Sequence, residues 1–193
     1  MADTRNADLT FAADDYLVYV APADTNPPVG MADPGTGWIC LGWMTTDGGS
    51  LKIEEEKKDI KAAGSLEPIR TLRTSSTKTL EVTCEEYLNP YVRALYDGVP
   101  LSDLEPTAGV TSYSLPDKPE DLRYAFVFDA MDGDKRMRNY CPNGAVDARG
   151  DDKTGTEDAS NVQLTFKFYR GATAKAVNRV IDYGDVDVSA FFA

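Results

Sequence analysis

Alternation of apolar and polar side chains with a period of two recurs along this chain and predicts strands. Leu80, Val82 and Cys84 alternate with Thr79, Glu81, Thr83 and Glu85. Leu122, Tyr124, Phe126 and Phe128 alternate with Arg123, Ala125 and Val127, which predicts a strand with one wet face. Asp132-Gly133 then supplies a two-residue turn, and residues 135–141 return as its partner. Val162, Leu164, Phe166 and Phe168 alternate with Gln163, Thr165, Lys167 and Tyr169, and Leu51 and Ile53 resume the period after the Asp47-Gly48-Gly49 turn. Residues 16–21 and 38–44 are apolar at successive positions, which predicts central strands or strands covered on both sides. The 3.6 period appears once, over about residues 89–98. Asn89 suits the N-cap, Pro90 the first turn and Gly98 the exit, with Val92, Leu95 and Tyr96 on one face. The expected core is Leu80, Val82, Phe126, Phe128, Leu164 and Phe166, with Val92, Leu95 and Tyr96 of the helix capping it. Residues 22–37, 99–121 and 142–160 are rich in Pro, Gly, Ser and Asp and read as loops.

Composition narrows what such a fold can do. At 193 residues a single domain is expected, spanning 1–193. No apolar run approaches a bilayer span, and the opening MADTRNADLT lacks the pattern of a secretory signal peptide. Histidine is absent, which removes Ser-His-Asp and Cys-His catalysis and His-based zinc sites. Cys40, Cys84 and Cys141 are widely spaced and odd in number, so no disulfide framework or structural zinc is expected. Cys40 and Cys84 read as small buried hydrophobes in a reducing, cytoplasmic setting. The net charge of −12 opposes wrapping of nucleic acid, although not its passage.

Candidate chemistry is sparse. Gly35-Thr-Gly37 lacks the further glycine and lysine of a phosphate loop. Asp129, Asp132 and Asp134 around Gly133 faintly suggest a calcium loop, but Tyr140 stands where the terminal glutamate belongs, and a hairpin turn is the better reading. Asp182, Asp185 and Asp187 read as a solvated acidic edge. No pair among the 32 acidic residues is marked out for hydrolysis, so no cofactor, metal or catalytic residue is expected.

The exceptional segment spans about residues 47–77. Glu54, Glu55, Glu56, Lys57 and Lys58 interrupt the strand period with five consecutive charges, and residues 60–77 carry too few apolar side chains to fill a core. Ser, Thr, Arg70 and Arg73 dominate instead. A hairpin without backing is only marginally stable, so the segment is expected to be an arm that orders against a neighbouring subunit. Arg70 and Arg73 would there meet acidic loops, with Asp151, Asp152 and Glu157 as candidate partners.

The order of motifs carries a resemblance. Trp38-Ile-Cys-Leu-Gly42-Trp-Met-Thr-Thr-Asp-Gly48, Leu51-Lys-Ile, Gly64-Ser-Leu-Glu-Pro-Ile-Arg-Thr-Leu-Arg73, Lys78-Thr-Leu-Glu-Val-Thr83, Asn89-Pro and Leu95-Tyr-Asp-Gly98 follow one another as in the major tail proteins, or tail tube proteins, of long non-contractile-tailed bacteriophages of actinobacteria, which the chain resembles from about residue 15 to 183. The resemblance implies a mainly β fold of two packed antiparallel sheets with one short flanking helix and a long hairpin arm; the immunoglobulin-like module that commonly follows the tube domain is not expected here, since the sequence stops at Ala193. It further implies homohexameric rings that stack into a tube for genomic DNA, with the arm bridging rings. A tape measure protein, a tail terminator and distal tail proteins would be partners. The protein would sit in the virion tail after assembly in the host cytoplasm, with no membrane role. The alternative is a monomeric β-sandwich module binding carbohydrate or protein, with Trp38, Trp43 and the tyrosines as stacking platforms. Against it, both tryptophans lie in the doubly apolar segment and are expected in the core.

Overall fold

A computed structural model of the chain describes residues 5–104, 108–118, 120–156 and 159–191. The strands are β1 (Asp15–Pro22), β2 (Ile39–Cys40), β3 (Ser50–Lys61), β4 (Pro68–Cys84), β5 (Tyr124–Asp132), β6 (Lys135–Arg149), β7 (Val162–Tyr169) and β8 (Asn178–Asp182), with the helix α1 (Pro90–Asp97) between β4 and β5. All eight strands join one antiparallel sheet in the order β2-β1-β5-β6-β7-β4-β3, with β8 paired to β6 off this path. The expectation of two packed sheets therefore gives way to a single hydrogen-bonded sheet.

The sheet closes on itself through residues 41–45. The Leu41 N–H donates to Val18 of β1 at 2.8 Å, while the Thr45 N–H donates to Thr83 at 2.9 Å and the Glu85 N–H to Trp43 at 2.8 Å. An isolated bridge joins Met44 to Cys84. Strands at opposite ends of the order thus enclose one core, in which Val18, Val20 and Leu41 meet Leu80, Val82, Val92, Leu95, Phe126, Phe128, Leu164 and Phe166. The rings of Phe126 and Phe166 lie 4.5 Å apart, centroid to centroid. Alternation along β7 puts Val162, Leu164, Phe166 and Phe168 into this core and leaves Thr165 and Lys167 half-buried on the other face.

Residues 38–44 are not a central strand. Gly42, at φ +83°, breaks the alternation after the two residues of β2. Leu41 and Met44 turn inward as a result, whereas Trp43 is 69% exposed, and Cys40 is exposed rather than buried. Trp38 is half-buried against the edge of the Tyr140 ring. Neither tryptophan joins the main core. Cys84 and Cys141 are buried, and burial pushes the Cys84 thiol up to about 12.

Strand β5 departs from its expected wet face. Ala125 and Val127 are fully buried beneath Tyr140, Tyr19 and Trp38, in a second cluster on the opposite side of the sheet from Phe126. The Pro-rich residues 22–37 lie over that side, tied by the Tyr140 hydroxyl donating to the Thr25 carbonyl at 2.7 Å and the Asp24 N–H donating to that of Pro142 at 2.8 Å. The turn after β5 is Gly133-Asp134, one residue later than expected, because Asp132 pairs with Lys135. Strand β6 also continues through residues 142–149, which read as loop. Pro142 is tolerated at an irregularity opposite β5, between the stretch of β6 that pairs with β8 and the stretch that pairs with β7.

Helix α1 forms where its caps place it. The Asn89 side chain accepts from the Tyr91 N–H, and Gly98, at φ +74°, donates its N–H to Ala94 in the left-handed exit. Val92, Ala94 and Leu95 are its buried face, seated on the core.

Candidate assembly surfaces

Strands β3 and β4 pair from Ser50↔Glu81 to Lys61↔Pro68 as a two-stranded ribbon. Leu51 and Leu80 are the last facing pair rooted in the body; every residue of β3 beyond Leu51 is exposed. Charge does not interrupt the strand here, because both faces of the ribbon meet solvent and the period carries no burial to enforce. Bulges between Glu56 and Lys57 and between Ile60 and Lys61 add twist. At the first, the Thr74 hydroxyl donates to the Glu56 carbonyl at 3.2 Å.

The arm's charges are arranged along two faces. Glu55 meets Arg73 at 3.3 Å and Lys57 at 3.9 Å on one face, and farther out the Thr71 hydroxyl donates to Asp59 at 2.7 Å. Glu54 pairs with Lys52 at 2.5 Å on the other face, where Glu56 also points by alternation along β3. Among the described residues, Lys58, Lys61 and Arg70 have no carboxylate in ion-pair range. Residues 57–73 contain five basic and two acidic side chains, a local +3 in a chain of net −12. Ile60, Leu66 and Ile69 are exposed in the same stretch.

The acidic residues proposed to face the arm are placed differently from one another. Asp151 pairs with Lys153 at the surface. Both oxygens of Asp152 are engaged within the chain, by Arg93 at 3.2 and 3.0 Å and by the Tyr87 hydroxyl at 2.6 Å. Glu157 lies outside the described residues. Arg93 also reaches Asp97 at 3.4 Å and stacks between the Tyr87 and Tyr96 rings. Hydrogen bonds from Arg93 and then Tyr87 hold the Asp152 carboxyl below its usual range. The same bond to Asp152 raises the Tyr87 hydroxyl. This cluster fastens the loop after β6 to α1.

A second polar cluster, which the sequence pattern did not mark, lies on the far side of β5 and β6. Asp129 and Arg138 are cross-strand partners. Arg138 donates to both Asp129 oxygens, at 2.7 and 2.5 Å, and to the carbonyls of Gly30 and Ala32, at 3.0 and 2.7 Å. Arg138 is 3% exposed. Its fork is thereby shared between the sheet and the covering loop. The one sequence signal was an unpaired-looking Arg in a strand directly opposite an Asp.

At the end of the body remote from the arm tip, Trp43 projects from the closing segment. The Trp43 backbone N–H donates to the Glu86 carboxylate at 3.1 Å, which also accepts from the Asn89 side-chain amide at 3.0 Å. Gly42 suits this position through its positive φ of +83°, which side-chain-bearing residues rarely adopt. Among the described residues, no group of three His, Cys, Asp or Glu side chains could hold a metal. No helix there is long and apolar enough to cross a membrane.

The sequence of this chain matches the family model for phage tail tube proteins over residues 4–184. The chain belongs to the phage tail tube protein family. It is thus a structural phage tail component, in a family that is not enzymatic. No curated protein matches this tail tube protein. Among solved structures, it is similar to a chain of the cryo-EM structure of the anti-feeding prophage baseplate, 6-fold symmetrised. That match has 10% identity and a TM-score of 0.44, and covers 89% of this chain and 95% of the other.

Proposed function

We propose that this tail tube protein assembles into hexameric rings that stack into the tail tube of a long-tailed phage, a conduit for genomic DNA during ejection. The arm is the observation that carries this reading. Its side chains are solvated along nearly its whole length, and such a ribbon needs a neighbour to be held in one conformation. A family of tube-forming proteins supplies that neighbour as another copy of the chain. Six copies at −12 sum to about −72, a field that repels phosphate and lets DNA slide. Tape measure, terminator and distal tail proteins are the further partners in the virion, after assembly in the host cytoplasm.

Negative-stain microscopy and light scattering of the purified protein test the reading, with rings or tubes expected. Replacing residues 55–76 by Asn-Gly should leave a folded, soluble body, because Glu54 and Thr77 are cross-strand partners that a two-residue turn can join. That variant should no longer stack. A variant that stacks like the parent counts against the reading. The exposure of Trp43 favours a second reading, a binding module with an aromatic platform; a stable monomer that retains a glycan through Trp43 would favour it.

A further inference from the structure

The two ends of β4 carry surfaces that complement one another. Strand β4 begins at Pro68, beside the arm tip, and ends at Cys84, beside the closing segment. Seventeen residues at about 3.3 Å each separate these ends by roughly 50 Å. At the tip, Leu66 is 96% and Ile69 64% exposed, among the unpaired cations Lys58, Lys61 and Arg70. At the far end, Trp43 and Leu88 are 69% and 83% exposed. The two share one rim, because Trp43 pairs with Glu85 through the backbone and Leu88 follows three residues later in a tight turn. Residues 38–51 and 83–92, which build this rim, hold Asp47, Glu85 and Glu86 and no lysine or arginine. The Glu86 carboxylate is occupied by an N–H and an amide, not by a cation.

We propose that the Trp43–Leu88 rim is the receptor for the arm tip of another copy of this chain. The tip's apolar side chains cover Trp43 and Leu88, and its cations face Glu85 and Glu86. Neither patch is matched to itself: the tip is net positive and the rim net acidic, since the neighbouring Arg93 is paired with Asp97 and Asp152. The contact is therefore head-to-tail, and a head-to-tail contact between opposite ends of one strand propagates as an open filament rather than a closed pair. This inference rests on the ring-stacking reading and names the surface that completes it.

Two full-length variants test it together. A tip variant carries Leu66→Asp and Ile69→Asp; a rim variant carries Trp43→Asp and Leu88→Asp. All four positions are exposed, so both variants should melt with the parent. Each alone should form no tubes, yet their equimolar mixture should give particles of twice the mass of either, since one intact tip meets one intact rim. The rim substitution Glu85→Lys, which keeps both apolar side chains, should also suppress tubes and restore them when combined with Arg70→Glu. A rim variant that builds tubes like the parent, or a mixture that never pairs, overturns the inference and leaves ring stacking by the arm intact. A parent chain that never stacks overturns both.

Discussion

The closed body and the arm are built from the same strand, β4, and obey different physics. Between Leu80 and Cys84 its alternate side chains are buried, and every second position is selected for volume. Between Pro68 and Thr77 no side chain is buried, and the backbone ladder with β3 alone keeps the strand straight. Burial thus fixes register and shape in the body, whereas the arm depends on cross-strand pairs worth a few tenths of a kcal/mol each. Stability should reside in one region and assembly in the other.

The sharpest test of that division is Phe166→Ala. It removes a fully buried ring in contact with Phe126 and should cost about 3–5 kcal/mol, enough to unfold much of the body in a denaturant or thermal melt. A parent-like melt would move the core elsewhere. Arg138→Met comes next. It leaves the Asp129 carboxylate and the carbonyls of Gly30 and Ala32 without their donor, a loss of roughly 3–5 kcal/mol. Amide exchange should rise first in residues 22–37, and unchanged protection there would show that Arg138 does not hold the loop. Arg93→Gln should cost less, about 1–2 kcal/mol, because Asp152 is one-third exposed and partly screened. Its carboxyl is held low, so this stabilisation is complete above about pH 4 and is lost as pH falls through the lower folded value. The gap between the parent and variant melts should close on acidification; a gap that widens would reverse the assignment. Lys167→Ala, on the face away from the main core, should shift stability by no more than about 0.5 kcal/mol. Arg70→Glu should leave the melt unchanged while reducing tubes, and an equal loss in both measurements would erase the distinction between body and arm.

Elements with a local signature were legible from sequence. The alternation of β7 and the caps of α1 act over one or two turns of chain, and both elements appear where those signatures place them. The arm was legible as a departure from period, although its charges sit on continuous strands. What escaped depends on pairing across long separations. The covering of Ala125 and Val127 comes from a loop about 100 residues earlier, and a loop that crosses a sheet leaves no period of its own. The same separation hid the fork of Arg138. Trp43 was misplaced because one left-handed glycine, Gly42, reverses the alternation on which its assignment depended. Pro142 and Gly144 read as loop because the neighbouring strands that tolerate them lie far away in sequence.

The strand order has a consequence for the time course of synthesis. Strand β1 has its long pairing with β5, and the inner edge of β4 pairs with β7, so those two partners lie in the second half of the chain. At roughly 5–20 residues per second, the 85 residues between Cys84 and Tyr169 take about 4–17 s to emerge. During that interval β3 and β4 can zip into a hairpin and β2 can add its two residues to one edge of β1, but the other edge of β1 and the inner edge of β4 have nothing to join. The nascent first half therefore cannot complete its core, because Phe126, Phe128, Leu164 and Phe166 arrive only with β5 and β7.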